Sequence, residues 1–215
     1  MKKILNNYSD YICYLLVTGV FLYVIISYNN LYNQNIRQSI ELKEYSEQYE
    51  KNTMAIDLLL DNLSMTYEND DKSFPNFKLV DVNKNKIELK DLLYEKEYKL
   101  VFFFSYLNCE SCIDSALDNL VTIGREMNMK NNMLVICEFA NMRAMKAFMD
   151  NHPFDIPMYF NIDSVKNNIL ENENVPFFCV MNKKLVAKHI LIPIKEIPKQ
   201  TRRYLNCIQK RYFVK

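Results

Sequence analysis

Hydrophobic positions fall into three regimes along the chain. Tyr11–Tyr28, YICYLLVTGVFLYVIISY, carries no charge and approaches the roughly 20 residues that a helix needs to cross a bilayer. Asn33–Thr66 is polar, with Leu42, Tyr45, Tyr49, Ile56, Leu59 and Leu63 at heptad-like steps interrupted by Asn52, a helical period. From Phe74 onward, short apolar runs alternate with amphipathic stretches, the signature of strands and helices in turn.

In this third regime, Phe77–Val82 and Lys86–Leu89 flank Asn83-Lys84-Asn85 and predict a hairpin. A short helix is expected over Asp91–Glu97. Leu100–Phe104 is an apolar run suited to a strand buried on both faces. Ile113, Ala116, Leu117, Leu120, Val121 and Ile123 then keep helical spacing. Asn132–Phe139 predicts a second buried strand, and Asn141 caps a helix through Met142, Met145, Phe148 and Met149. Ile156–Asn161 predicts a strand, and Asp163 or Ser164 starts a short helix through Ile169 and Leu170. Val175–Met181, a hairpin turn at Asn182-Lys183 and Leu185–Ile192 predict two more strands, before an amphipathic helix over Lys195–Phe213. The polar run Glu68–Ser73 marks a boundary. The expected organisation is 1–30 membrane anchor, 31–72 helical stalk and 73–215 folded domain.

The chemistry concentrates between the central strand and the helix that follows it. Cys109-Glu110-Ser111-Cys112 stands at the helix start. Unpaired backbone N–H groups and the helix dipole favour a thiolate there. Two intervening residues let Cys112 reach Cys109 and close a disulfide, so the spacing suggests thiol–disulfide exchange. Half of a zinc site and two core cysteines meeting by chance are the competing readings. No second Cys/His pair stands at ligand spacing, and His152 and His189 are isolated. No metal or other cofactor is expected. Glu110 sets a negative charge beside the first thiol and is expected to raise its pKa, tuning the couple towards a reductant. Cys137 and Cys179 read as core residues; Cys13 falls in the apolar span and Cys207 on the last helix.

A net charge of +1 gives no sign of a nucleic-acid partner. Only two glycines, Gly19 and Gly124, leave no phosphate-cradling loop. Lys2 and Lys3 precede the apolar span and the next charge is Arg37. The positive-inside rule places the N-terminus in the cytoplasm and the rest outside. A cleaved signal would show a small-x-small site, which SYNNLYNQN does not offer. The expected location is therefore the cell inner membrane, single-pass, with an extracytoplasmic domain. The apolar stripe on the stalk reads either as a spacer or as a seam for a homodimer. Lys199, Arg202, Arg203, Lys210, Arg211 and Lys215 form an acid-free basic segment, which reads as a solvated helix face.

The order of elements around the CxxC helix resembles the thioredoxin fold. Phe74-Pro75-Asn76-Phe77-Lys78-Leu79, Asp81 and the Asn85–Leu92 stretch are similar to the entry of TlpA/ResA-like and AhpC/TSA-like domains, over about residues 74–212. The resemblance implies an α/β thioredoxin-like three-layer sandwich and a membrane-anchored oxidoreductase of protein disulfides, re-reduced by an upstream membrane electron donor. It implies Cys109 as attacking thiol, Cys112 as resolving thiol, and Pro176 as a cis-proline beside them, with Val175 offering backbone groups to a substrate strand. Asn108 and Ser111 stand where relatives carry tryptophan and proline, and Phe103 where thioredoxin has a buried aspartate. The peroxiredoxin motif P-x-x-x-T-x-x-C is not met, since Phe102 and Tyr106 occupy its positions. A copper-chaperone CxxxC is one residue longer than the spacing here. A non-catalytic peptide-binding or assembly module on the same scaffold is the alternative function.

Overall fold

The computed structural model describes residues 2–94, 96–126, 128–153, 155–161 and 175–214. The helix expected over 163–170 lies outside them. Two compact units divide the chain, Met1–Met54 and Ala55–Lys215. The first contributes only helix, part of a single α1 that runs Lys2–Asn69. The segments expected as anchor and stalk thus lie on one helix, with no proline or glycine between Tyr28 and Asn69. Its side chains from Tyr14 to Tyr28 are all exposed, and α1 contains a segment long and apolar enough to cross a membrane.

The second unit is a seven-stranded mixed sheet. Its strands are β1 (Lys78–Val80), β2 (Lys86–Glu88), β3 (Tyr98–Ser105), β4 (Met133–Glu138), β5 (Met158–Asn161), β6 (Phe177–Asn182) and β7 (Ala187–Leu191), in the order β2-β1-β5-β4-β3-β6-β7. β3 pairs in parallel with β4, and β4 with β5, through the crossover helices α3 (Glu110–Glu126) and α4 (Met142–Asn151). Both crossovers step in the same direction, so right-handed connection puts both helices on one face. β6 and β7 then run antiparallel beside β3, and α5 (Pro198–Tyr212) returns to the α3 face. On the opposite face lie α2 (Leu89–Tyr94), Phe74, Phe77 and the C-terminal turns of α1. A parallel βαβ unit joined to an antiparallel hairpin and a closing helix makes this the thioredoxin-like three-layer α/β sandwich that the sequence leads one to expect.

β3 is buried on both faces because its apolar run serves two cores. Leu100, Phe102 and Phe104 point among the α3, α4 and α5 side chains. Val101 and Phe103 point among Phe74, Phe77, Leu92 and Leu93. Side-chain alternation along a strand requires that division. Stacked rings tie β3 to β6 at Phe102–Phe178 (4.5 Å between centroids) and Phe103–Phe177 (5.0 Å). The β1–β2 turn is held by Asp81, whose carboxylate accepts from the Asn83 and Asn85 backbone N–H groups and the Asn85 amide.

The compact domain begins earlier than the expected 72/73 boundary, since residues from Ala55 belong to it. The reason is the outer edge of β7, whose N–H and C=O groups face no further strand. The end of α1 occupies that edge with polar side chains. Asn62 donates to the Ile192 carbonyl at 2.5 Å and accepts from its N–H at 3.1 Å. Thr66 donates to the Ile190 carbonyl at 2.6 Å, and Asp70 accepts from the His189 N–H. Beyond the helix, Asp71 N–H and Lys72 C=O pair with Ala187. An open edge strand is an aggregation hazard, and here it is closed within the domain. Leu42, Tyr45 and Tyr49 in the first unit, and Ile56, Leu59 and Leu63 in the second, remain exposed.

Asn62→Ala removes both bonds to Ile192 and strands one donor and one acceptor. It should cost about 2 kcal/mol of stability, read by denaturant unfolding of the second unit through its tyrosine fluorescence. Thr53→Ala, whose exposed hydroxyl bonds only the Tyr49 carbonyl, should stay within about 0.5 kcal/mol of wild type.

Candidate functional site: a dithiol at a helix start

β3 ends at Ser105, and a tight turn delivers the chain to α3. The Ser105 hydroxyl accepts from the Leu107 N–H at 3.2 Å. The Asn108 side chain accepts from the Ser105 N–H at 2.6 Å, and the Asn108 N–H donates to the Ser105 carbonyl at 2.9 Å. Tyr106 N–H is anchored on the Glu138 carbonyl of β4 at 2.8 Å. Cys109 follows in the N-cap position: its carbonyl accepts from the N–H groups of Cys112 (3.0 Å) and Ile113 (3.1 Å). The structure thus sets Cys109 on the helix N-terminus and Cys112 one turn inside it, as the spacing predicts.

Two identical side chains meet different surroundings. Cys109 is exposed and Cys112 half-buried, and both are free thiols. The Cys109 thiol is pushed down to about 7. The chief cause is a hydrogen bond from the Cys112 thiol, followed by one from Ser111, the Cys112 backbone N–H and the charge of Lys195. Cys112 moves the other way, up to about 11, because burial penalises its thiolate and the Cys109 sulfur takes its proton as a hydrogen bond. This separation makes Cys109 the more readily ionised thiol near neutral pH and leaves Cys112 the more firmly protonated one.

Cys109 moves down rather than up, and Glu110 is not among the groups that move it. Glu110 is exposed, and the groups that move Cys109 are Cys112, Ser111 and Lys195. The Ser111 hydroxyl lies 3.2 Å from the Cys109 Sγ, and Lys195 Nζ lies 3.4 Å from the same hydroxyl. Lys195 was expected in the first turn of the last helix. α5 instead begins at Pro198, a residue suited to a helix start, and leaves Lys195 in the β7–α5 loop. Pro193 and Ile194 are buried there and Lys195 is exposed. Only the tertiary fold brings position 195 to position 111, so no local signal in the sequence marks this lysine.

Val175 and Pro176 sit at the same end of the sheet as the dithiol. Phe177 pairs with Phe103 in the β3–β6 ladder, so continuing that register sets the two preceding residues beside Phe104 and Ser105, the last residues of β3 before the turn to Cys109. Pro176 is buried and Val175 packs against the Phe103 side of the core. The cis bond implied by the resemblance is corrected: no cis peptide occurs among the described residues. Trans is the lower-energy form of an X–Pro bond by about 0.5–1 kcal/mol, and it lets the chain enter β6 extended. Cys137 and Cys179 are buried, on opposite faces of the sheet, and burial pushes both thiols far up. Cys207 is exposed on α5. No group of three or more metal-ligating side chains occurs among the described residues.

Alkylation with iodoacetamide, read by peptide mass spectrometry, checks the asymmetry. The Cys109 rate should rise about tenfold per pH unit below 7 and level off above it, because the thiolate is the reacting form. Cys112 should react appreciably only as the pH nears 11, and Cys137 and Cys179 only on unfolding.

No protein-family model and no curated protein matches the chain. Solved structures similar to it include the peroxidoxin BcpB of Mycobacterium tuberculosis, at 13% identity over 65% of this chain and 97% of that one, TM-score 0.48. A thiol:disulfide interchange protein from Bacteroides sp. is similar at 15% identity over 64% and 90%, TM-score 0.47. The thioredoxin domain of a thiol-disulfide oxidoreductase from Bacteroides vulgatus is similar at 15% identity over 64% and 98%, TM-score 0.46. The thioredoxin-like assignment rests on the strand order and helix placement above rather than on these scores.

Proposed function

We propose that the chain is a membrane-anchored thiol–disulfide oxidoreductase that reduces disulfides of protein substrates on the extracytoplasmic side. The observation that carries this reading is the split pair: Cys109, exposed with its thiol near 7, and Cys112, half-buried with its thiol near 11. In the reaction, the Cys109 thiolate attacks a substrate disulfide, forming a mixed disulfide and expelling one substrate thiolate. Cys112 then loses its proton and attacks the Cys109 sulfur. The Cys109–Cys112 disulfide forms, and the second substrate sulfur leaves and is protonated. Two electrons have passed to the substrate, and a membrane dithiol donor restores the pair. Val175 and Pro176 border the substrate groove, with Val175 offering its backbone to an extended peptide. A thiol near 7 is that of thioredoxin rather than the about 3.5 of DsbA, which favours a couple nearer about −270 mV than −120 mV.

The uncharged span of α1 serves as a single-pass anchor with the N-terminus cytoplasmic, supported by Lys2 and Lys3 before it and its exposed apolar surface. The stripe from Leu42 to Leu63 is the face on which a second copy would pair. A peptide-binding module without redox chemistry is the alternative, and it needs no couple at Cys109/Cys112.

Cys112→Ser should accumulate a mixed disulfide with substrate proteins, while Cys109→Ser should trap none and reduce none. Absence of a two-electron couple in a redox titration of the wild type would leave the binding module as the reading. A reporter active only in the cytoplasm, fused to the C-terminus, should be silent; a strong signal overturns the orientation.

A further inference from the structure

We infer that Lys195 is a positioning residue for the dithiol: delivered by the β7–α5 loop, it acts through the Ser111 hydroxyl to favour the anionic form of Cys109. This deepens the oxidoreductase reading and rests on it. The geometry is a three-member line, Nζ of Lys195 to Oγ of Ser111 at 3.4 Å and Oγ to the Cys109 Sγ at 3.2 Å. With the lysine donating to the hydroxyl oxygen, the hydroxyl proton is turned towards the sulfur. A donor polarised by a cation makes a stronger hydrogen bond to an anion. Ser111 stands at the position where relatives carry a proline, which has no hydroxyl to relay such a contact.

The loop holds the lysine there for local reasons. Pro193 and Ile194 are buried just before the turn at Lys195 and Glu196, and the Ile197 N–H donates to the Ile194 carbonyl at 3.0 Å. That leaves Lys195 at an outward position facing the α3 N-terminus. On the loop, Glu196 Oε1 lies 3.9 Å from Lys195 Nζ, and on α3 Glu110 is exposed in the first turn, next in sequence to Cys109. A carboxylate near a thiolate opposes it, and Lys195 is the cation that acts on Cys109 in the thiolate's favour. The reduced pair carries a thiolate and a thiol. A disulfide reagent takes two electrons from it, forming the Cys109–Cys112 bond and leaving one reagent thiolate and one thiol. The negative charge has then left Cys109, and Lys195 has no anion to hold. Its contact therefore favours the dithiol over the disulfide.

The test uses the full chain in detergent, with wild type, Lys195→Gln, Lys195→Arg and Ser111→Ala. An exposed charge contact of this kind is roughly a 1.4- to 5-fold effect. Lys195→Gln should slow alkylation of Cys109 at pH 6 by roughly two- to fivefold and converge with wild type above pH 9. Its equilibrium constant against glutathione should shift by the same factor towards the disulfide, roughly 9–21 mV for a two-electron couple. Lys195→Arg should restore most of the rate, Ser111→Ala should mimic the loss, and 1 M salt should narrow the gap through screening. Coincident pH profiles and potentials for wild type and Lys195→Gln overturn the inference alone. A wild type whose Cys109 titrates near 9, or that shows no couple, overturns the oxidoreductase reading and this inference with it.

Discussion

Burial of β3 on both faces is the constraint from which the site follows. Leu100 to Phe104 have no face to offer water, so the strand must lie inside the sheet with helices on either side. Pairing with β4 on one edge and β6 on the other satisfies its backbone. The strand then ends where the apolar run ends, and the chain must leave through a turn at the sheet's C-terminal edge. Ser105 and Asn108 satisfy that turn locally, and the next residue is Cys109. Cys109 is thus exposed just beyond a strand that is buried. The same edge receives the N-terminal end of β6 and the C-terminal end of β7, so Val175, Pro176 and Lys195 converge there without sequence proximity.

The asymmetry of the two thiols needs no special residue for its main part. Any cysteine in the N-cap position meets backbone N–H groups that lack helical partners, and any cysteine one turn later meets the core. Cys112 stabilises the Cys109 thiolate by giving it a hydrogen bond, and for that reason holds its own proton more tightly. The two shifts are one interaction seen from both ends, with burial added on the Cys112 side. In the proposed reaction this asymmetry gives the order: the exposed sulfur would exchange with partners and the inner one would resolve.

Much of this was legible before any coordinates. The central strand, the CxxC at a helix start, the Asn141 cap and the hairpins come from periodicity and turn chemistry, and each is found within a few residues. What was not legible depends on contacts distant in sequence. Lys195 meets Ser111 across 84 positions, and nothing local distinguishes it from other exposed lysines. Glu110 is adjacent to Cys109 in sequence, yet the thiol moves down under Cys112, Ser111 and Lys195, and Glu110 stands exposed to solvent. Asn62 and Thr66 were hidden inside an apolar pattern. Their i, i+4 spacing, continued by Asn69 and Asp70, is a polar stripe on a helix end, and such a stripe is a signal for docking on an open strand edge. The trans Val175–Pro176 bond shows the opposite failure, in which resemblance supplied a geometry that the residues themselves did not require.

The closed edge of β7 and the dithiol belong to one structural line. Asn62 holds both polar groups of Ile192, which is the first residue beyond β7. Three residues later the same backbone presents Lys195 to Ser111. Between them, buried Pro193 and Ile194 leave the loop little freedom to swing independently of the strand. The end of α1 therefore fixes the starting point of the segment that carries the cation to the site, and does so with hydrogen bonds that water would otherwise contest. A lysine side chain is flexible, and its charge acts consistently on one sulfur only if its backbone is held. The end of α1 in this domain then does two things: it closes an aggregation-prone edge, and it anchors the strand end from which the loop to Lys195 departs.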